Sequence, residues 1–92
     1  MAEKIFTPET EAEFTAEELL LALPILIIKN NRRYAMSYRP IMEGDLIRYA
    51  VLYRCETNND FISVKADSPR QVLSDAATML LTKKYVGQIT TI

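Results

Sequence analysis

Hydrophobic and polar positions alternate through the middle of this chain in the period-two rhythm of half-buried strands. In "RYAMSYR", residues 33–39, Tyr34, Met36 and Tyr38 fall on one side and Arg33, Ala35, Ser37 and Arg39 on the other. "LIRYAVLYRC", residues 46–55, continues the rhythm. Ile47, Tyr49, Val51, Tyr53 and Cys55 share one face, and Leu46, Arg48, Ala50, Leu52 and Arg54 share the other. "FISVKA", residues 61–66, sets Ile62, Val64 and Ala66 against Phe61, Ser63 and Lys65. Ahead of these, "ILII" at 25–28 is aliphatic and largely β-branched, which predicts a strand with both faces covered. Asn30-Asn31 tolerates positive φ and predicts a tight hairpin turn. Pro40 with "MEGD" at 42–45 predicts a loop, and "TNND" at 57–60 a second turn.

The pattern changes period at both ends. "FTAEEL", residues 14–19, has the form of a capping box. Thr15 can accept from the N–H of Glu18, and the Glu18 carboxylate can accept from the N–H of Thr15. Phe14 and Leu19 then sit at the two ends of a hydrophobic staple. Pro24 ends this helix by displacing Leu23 from the α region. Its leucines cover most of the circumference, which predicts burial on several sides. In "DSPRQVLSDAATMLLTKKYVG", Ser68 is the cap, Pro69 the first helical residue and Gln71 the third, the pattern of a second capping box. At 100° per residue, Val72, Leu73, Ala76, Ala77, Met79, Leu80 and Leu81 make one apolar face, with Ser74, Asp75, Thr78 and Thr82 opposite. Gly87 is the expected residue just past the helix end. The closing "QITTI" suits an edge strand or a free tail.

The order is therefore α-β-β-β-β-α. Each link between strands is too short for a parallel crossover, so the strands form an antiparallel meander. Two helices on one face of four strands make a two-layer α+β sandwich. A chain of 92 residues suits one such domain. We divide it into an acidic leader, 1–13, expected to be flexible, and a folded domain, 14–92.

Charge sharpens this division. Residues 1–18 hold six glutamates against Lys4, a balance of −5, while the remainder holds ten Lys/Arg against six Asp/Glu, a balance of +4. Such asymmetry marks an interaction surface or simply acids gathered at a helix N-terminus. The single cysteine, Cys55, forbids an internal disulfide and suits a reducing, cytoplasmic setting. No apolar run approaches the roughly 20 residues that a spanning helix needs, so no membrane is expected. "MAEKIFTPETEAEF" carries no signal-peptide core.

The residue inventory disfavours most catalysis. There is no histidine, hence neither the commonest general base nor the commonest metal ligand. Cys55 lies on an apolar strand face, where a thiol is usually inert. Glu43 and Asp45 could in principle hold a divalent cation, but a solvated turn explains them better. The only glycines, Gly44 and Gly87, cannot make a phosphate-binding loop. No enzyme and no cofactor is expected.

What remains is a binding face. If the helices cover the tyrosine-rich side of the sheet, the other side shows Arg33, Arg39, Arg48, Arg54 and Lys65 around Ala35, Ala50 and Leu52. Leu46 and Phe61 would stand there too, unusually apolar for a face meeting only water. We take Arg33, Arg39, Arg48, Leu52, Arg54 and Lys65 as candidate binding residues. Their first use is contact with a protein partner, including a second copy of the chain. The alternative is nucleic acid or a nucleotide, by stacking and phosphate contact. Against that alternative stand the acidic pI of 5.4 and the tyrosines on the far face. A third reading gives Arg48 and Arg54 no partner, as charges that discourage strand aggregation.

Overall fold

The computed structural model describes residues 3–91. Met1, Ala2 and Ile92, the outer ends of the acidic leader and of "QITTI", lie outside the described residues. The elements in chain order are β1 (Lys4–Ile5), a 3-10 turn (Glu11–Glu13), α1 (Ala16–Ala22), β2 (Leu26–Lys29), β3 (Arg32–Glu43), β4 (Leu46–Cys55), β5 (Phe61–Ala66), α2 (Pro69–Thr82) and β6 (Thr90–Thr91). The strands β2-β3-β4-β5 form an antiparallel sheet in sequence order, and β1 pairs with β6 in a separate two-stranded ladder. The fold is α+β, with the two helices packed against one face of the meander.

Register decides which side chains meet the helices. Met36 stands opposite Tyr53, and Tyr53 opposite Ile62; Tyr38 stands opposite Val51, and Val51 opposite Val64. The apolar halves of three strands therefore share one face. Tyr34, Val51, Tyr53 and Cys55 pack there with Ile27, Leu19, Leu23 and the buried stripe of α2, Val72, Leu73, Ala76, Ala77 and Leu80. Two alanines in that stripe leave room for the helix to lie close to the strands. The Tyr53 hydroxyl donates to the carbonyl of Pro24 at 2.7 Å, which satisfies the one polar atom of a fully buried ring.

Local chemistry explains the turns. Asn30 and Asn31 have φ of 52° and 61°, the pair of positive values that a two-residue type I′ hairpin demands. The capping box of α1 is complete, with Thr15 Oγ1 accepting from Glu18 N and Glu18 Oε1 accepting from Thr15 N. Phe14 and Leu19 are both buried, as a staple requires.

Several expectations are corrected. β3 does not stop at Pro40. It runs twelve residues to Glu43, and the loop shrinks to Gly44-Asp45, with Gly44 at φ 61°. The reason lies in the ladder. Met36 donates its N–H to Ile25 at 3.0 Å, so alternate residues of β3 turn their N–H groups toward β2. β2 ends before reaching Pro40, so the donor that proline lacks would have pointed off the sheet edge.

β2 is an edge strand covered on one face only. Ile27 is 3% exposed, whereas Leu26 and Ile28 on the other face are 40% and 56% exposed. Nor is α1 buried all round, for Leu21 is 77% exposed. At α2 only half the second capping box forms. Ser68 accepts from Gln71 N, but the Gln71 amide donates to Asp75 instead of its carbonyl turning back to the cap. Ser74, expected on the polar face, is 1% exposed, because the N-terminal segment folds over it and its hydroxyl donates to Glu11 Oε1. The helix closes at Lys84 and not at Gly87. Lys84 takes φ 59°, its N–H bonds to Leu81 O, and the N–H of Tyr85 bonds to Leu80 O, a Schellman motif.

Residues 3–13 and 89–91 pack together. Phe6 is 4% exposed, meets Phe14 edge to face at 5.6 Å between ring centroids, and donates its N–H to Ile89 O. Arg70 on α2 donates to the Glu11 carbonyl at 2.7 Å.

Candidate functional site

The face of the sheet turned away from the helices is built in register rows. One row crosses all four strands as Leu26, Ala35, Arg54 and Phe61. The next is Ser37, Leu52 and Ser63, and the one beyond is Arg39, Ala50 and Lys65. Arg33 stands beside Ile28 at one end, and Ile41 with Arg48 at the other. All six residues singled out from the alternation, Arg33, Arg39, Arg48, Leu52, Arg54 and Lys65, thus lie on this face. It is also where Leu46 (67% exposed), Phe61 (58%), Ile28 (56%) and Leu26 (40%) meet solvent.

The six differ in what they can still bind. Arg48 donates to Glu43 at 3.0 Å and to Asp67 at 3.1 Å, and Lys65 donates to the other oxygen of Glu43 at 3.2 Å. The Arg48 guanidinium, and after it Lys65, hold the Glu43 carboxyl below its usual range, and Glu43 in turn raises the guanidinium. These two cations are largely neutralised where they stand. Arg33, Arg39 and Arg54 are exposed and make no ion pair among the described residues. Glu56 lies across the ladder from Arg33, its N–H donating to the Arg33 carbonyl, without an ion pair between the two side chains.

Sequence reasoning missed the acids of this network. Asp67 continues the β4–β5 register opposite Arg48, and Glu43 falls on the open face once β3 extends that far. Glu43 was hidden by reading Pro40 as the start of a loop, and Asp67 by reading it only as the residue before the cap of the second helix. Glu43 therefore spends its carboxylate on two cations. Among the described residues no three acid, thiol or imidazole groups gather as a metal site.

A shallow depression of about 340 Å³ lies at the β5 side of the face, lined by Leu52, Arg54, Asn59 and Phe61. It joins an unpaired guanidinium, an apolar floor and an exposed ring. Phe61 is the one aromatic on this face. The four tyrosines of the sheet, Tyr34, Tyr38, Tyr49 and Tyr53, all occupy the helix side. The Tyr34 ring is buried, but its hydroxyl reaches the rim and donates to Asp60 at 2.5 Å; Lys29 reaches the same carboxylate at 3.4 Å. That bond holds Asp60 down and pushes the phenol up to about 12. Cys55 is buried, and a hydrogen bond with the Thr57 hydroxyl at 3.4 Å holds its thiol below the ordinary value.

No helix among the described residues is long and apolar enough to cross a membrane. Neither the protein-family models nor the curated proteins nor the solved structures compared with this chain gave a match.

Proposed function

We propose that this chain is a small non-catalytic binding protein of the adaptor, regulator or inhibitor kind. It acts in a reducing compartment such as the cytoplasm, through protein contacts made by the open sheet face. Self-association is one form such contact can take. One observation carries the reading: unpaired Arg33, Arg39 and Arg54 share a helix-free face with exposed Leu26, Ile28, Leu46 and Phe61. Arginine beside exposed apolar side chains is the composition of an interface, where a guanidinium both stacks and pairs.

Nucleic-acid or nucleotide binding is the second reading, favoured by the same three arginines. Three phosphate contacts on a single strand would give a salt slope of roughly −2. The tyrosines that would stack bases are turned to the helices, which weighs against it.

The test is affinity capture with and without nuclease, alongside molecular mass in solution at low and high salt. The triple variant Arg33→Gln, Arg39→Gln, Arg54→Gln should stay folded, since all three side chains are exposed, and lose capture by about tenfold or more. Capture that vanishes with nuclease and follows salt transfers the face to nucleic acid. Removing residues 3–13 would not test the acidic leader cleanly, because Phe6 belongs to the core. Glu9→Gln with Glu13→Gln changes its charge at exposed positions instead.

A further inference from the structure

The outer edge of β5 adjoins the depression at Arg54, and the two features call for the same ligand. Cys55 donates its N–H to Asp60 O at 3.0 Å, which fixes the parity of the β4–β5 ladder. Ile62, Val64 and Ala66 spend their backbone groups on β4. Phe61, Ser63 and Lys65 therefore turn N–H and C=O away from the sheet, and no backbone partner meets them among the described residues. This free edge runs beside the depression, separated from Leu52 and Arg54 only by the side chains of Phe61 and Ser63. Ser63 is the low point of that rim.

We propose that β5 accepts an extended acidic peptide as a fifth strand. An acidic side chain of the peptide, opposite Ser63, would cross it to reach Arg54, and a neighbouring apolar side chain would pack on Phe61 and Leu52. Strand addition supplies affinity through main-chain hydrogen bonds, and the pocket for alternate side chains supplies selectivity. The two-strand spacing from the added chain to β4 is about 9.6 Å and Arg54 lies about 6.6 Å further along it, a diagonal of about 12 Å that is within the combined reach of a glutamate and an arginine side chain. Charge selects the occupant. Among the described residues Arg54 has no acid partner, and Lys65 on the same edge is already satisfied by Glu43, so a carboxylate arriving here meets an unspent cation. A second copy of β5 would bring another Arg54 and another Lys65 to the same place. A nucleic acid would leave the outward carbonyls of Phe61 and Ser63 facing phosphate oxygens, acceptor against acceptor. The inference rests on the protein-binding reading of the face.

The experiment uses the full chain and three labelled probes: a blocked peptide of alternating valine and threonine with one central glutamate, its glutamine twin, and a uridine oligonucleotide. Anisotropy gives affinity, and amide hydrogen exchange by NMR locates it. The glutamate peptide is expected to bind about tenfold tighter than its twin and to slow exchange at Phe61, Ser63 and Lys65. Arg54→Gln should erase that preference. Ser63→Pro removes an outward N–H that the β4–β5 ladder does not use, so the fold should survive, as circular dichroism will report, and strand addition should fail. Equal binding of the two peptides, no peptide binding, or full binding by Ser63→Pro overturns the inference. If the Ser63→Pro and Arg54→Gln variants still capture protein through the face, the broader reading survives and only the β5 strand is lost. If the oligonucleotide alone binds, both fall.

Discussion

Lys84 holds a φ of 59° at the residue that closes α2, a left-handed conformation in which a side chain costs about 1 kcal/mol relative to glycine. Lys84→Gly should therefore stabilise the protein by about 1 kcal/mol. For a domain of this size that raises the melting midpoint by roughly 4–8 °C in a thermal scan. The gain belongs to the backbone alone, since the lysine side chain is exposed. Tyr34 and Tyr53 make a second prediction. A hydrogen bond to Asp60 and burial, respectively, raise their phenols from 10.0 to about 12. Both shifts favour the neutral ring in the folded state, so their contribution is intact below pH 10 and is lost as pH rises toward 12. Denaturant midpoints should fall across that window. A tyrosinate absorbance titration of the folded protein should remain incomplete at pH 11 until unfolding releases the remainder. A midpoint that stays level to pH 12 would contradict the placement of both hydroxyls.

Among the elements, the helix caps and strand faces were legible because each depends on neighbours in sequence. Thr15 and Glu18 needed only their own spacing, and the alternation of Tyr34, Met36 and Tyr38 with Val51 and Tyr53 set the sheet's two sides. Edge status was not legible, because it depends on how far another strand runs. "ILII" reads as a central strand until its outer side proves empty, and Pro40 reads as a loop until β2 proves too short to need its N–H. Ser74 shows the same limit, for its burial is made by a segment 63 residues earlier. That contact is testable. Ser74→Ala should cost about 1 kcal/mol and speed amide exchange in residues 3–13, while protection in β3 and β4 stays unchanged. Uniform acceleration everywhere would mean that the N-terminal segment and the sheet open as one unit.

At the scale of the whole molecule, the location of a charged face could be read from alternation, but its usable charge could not. Of five cations placed there, Arg48 and Lys65 belong to a closed network with Glu43 and Asp67, and only the folded register brings those acids across. The free charge is thereby left to Arg33 and Arg54, at the end of the face where the apolar side chains of Leu26, Ile28 and Phe61 are exposed, and to Arg39 in the row of Lys65. The ladder between β1 and β6 has a consequence of another kind. Lys4 stands opposite Thr91 and Ile5 opposite Thr90, so the described chain comes back almost to its own beginning. Neighbours across such a ladder lie about 5 Å apart, a gap that a few added residues could bridge. The path is in effect a ring with one short break. Sealing that break and opening the exposed Gly44-Asp45 turn would give a permuted polypeptide with every sheet neighbour retained and its new termini at the far end of the longest hairpin.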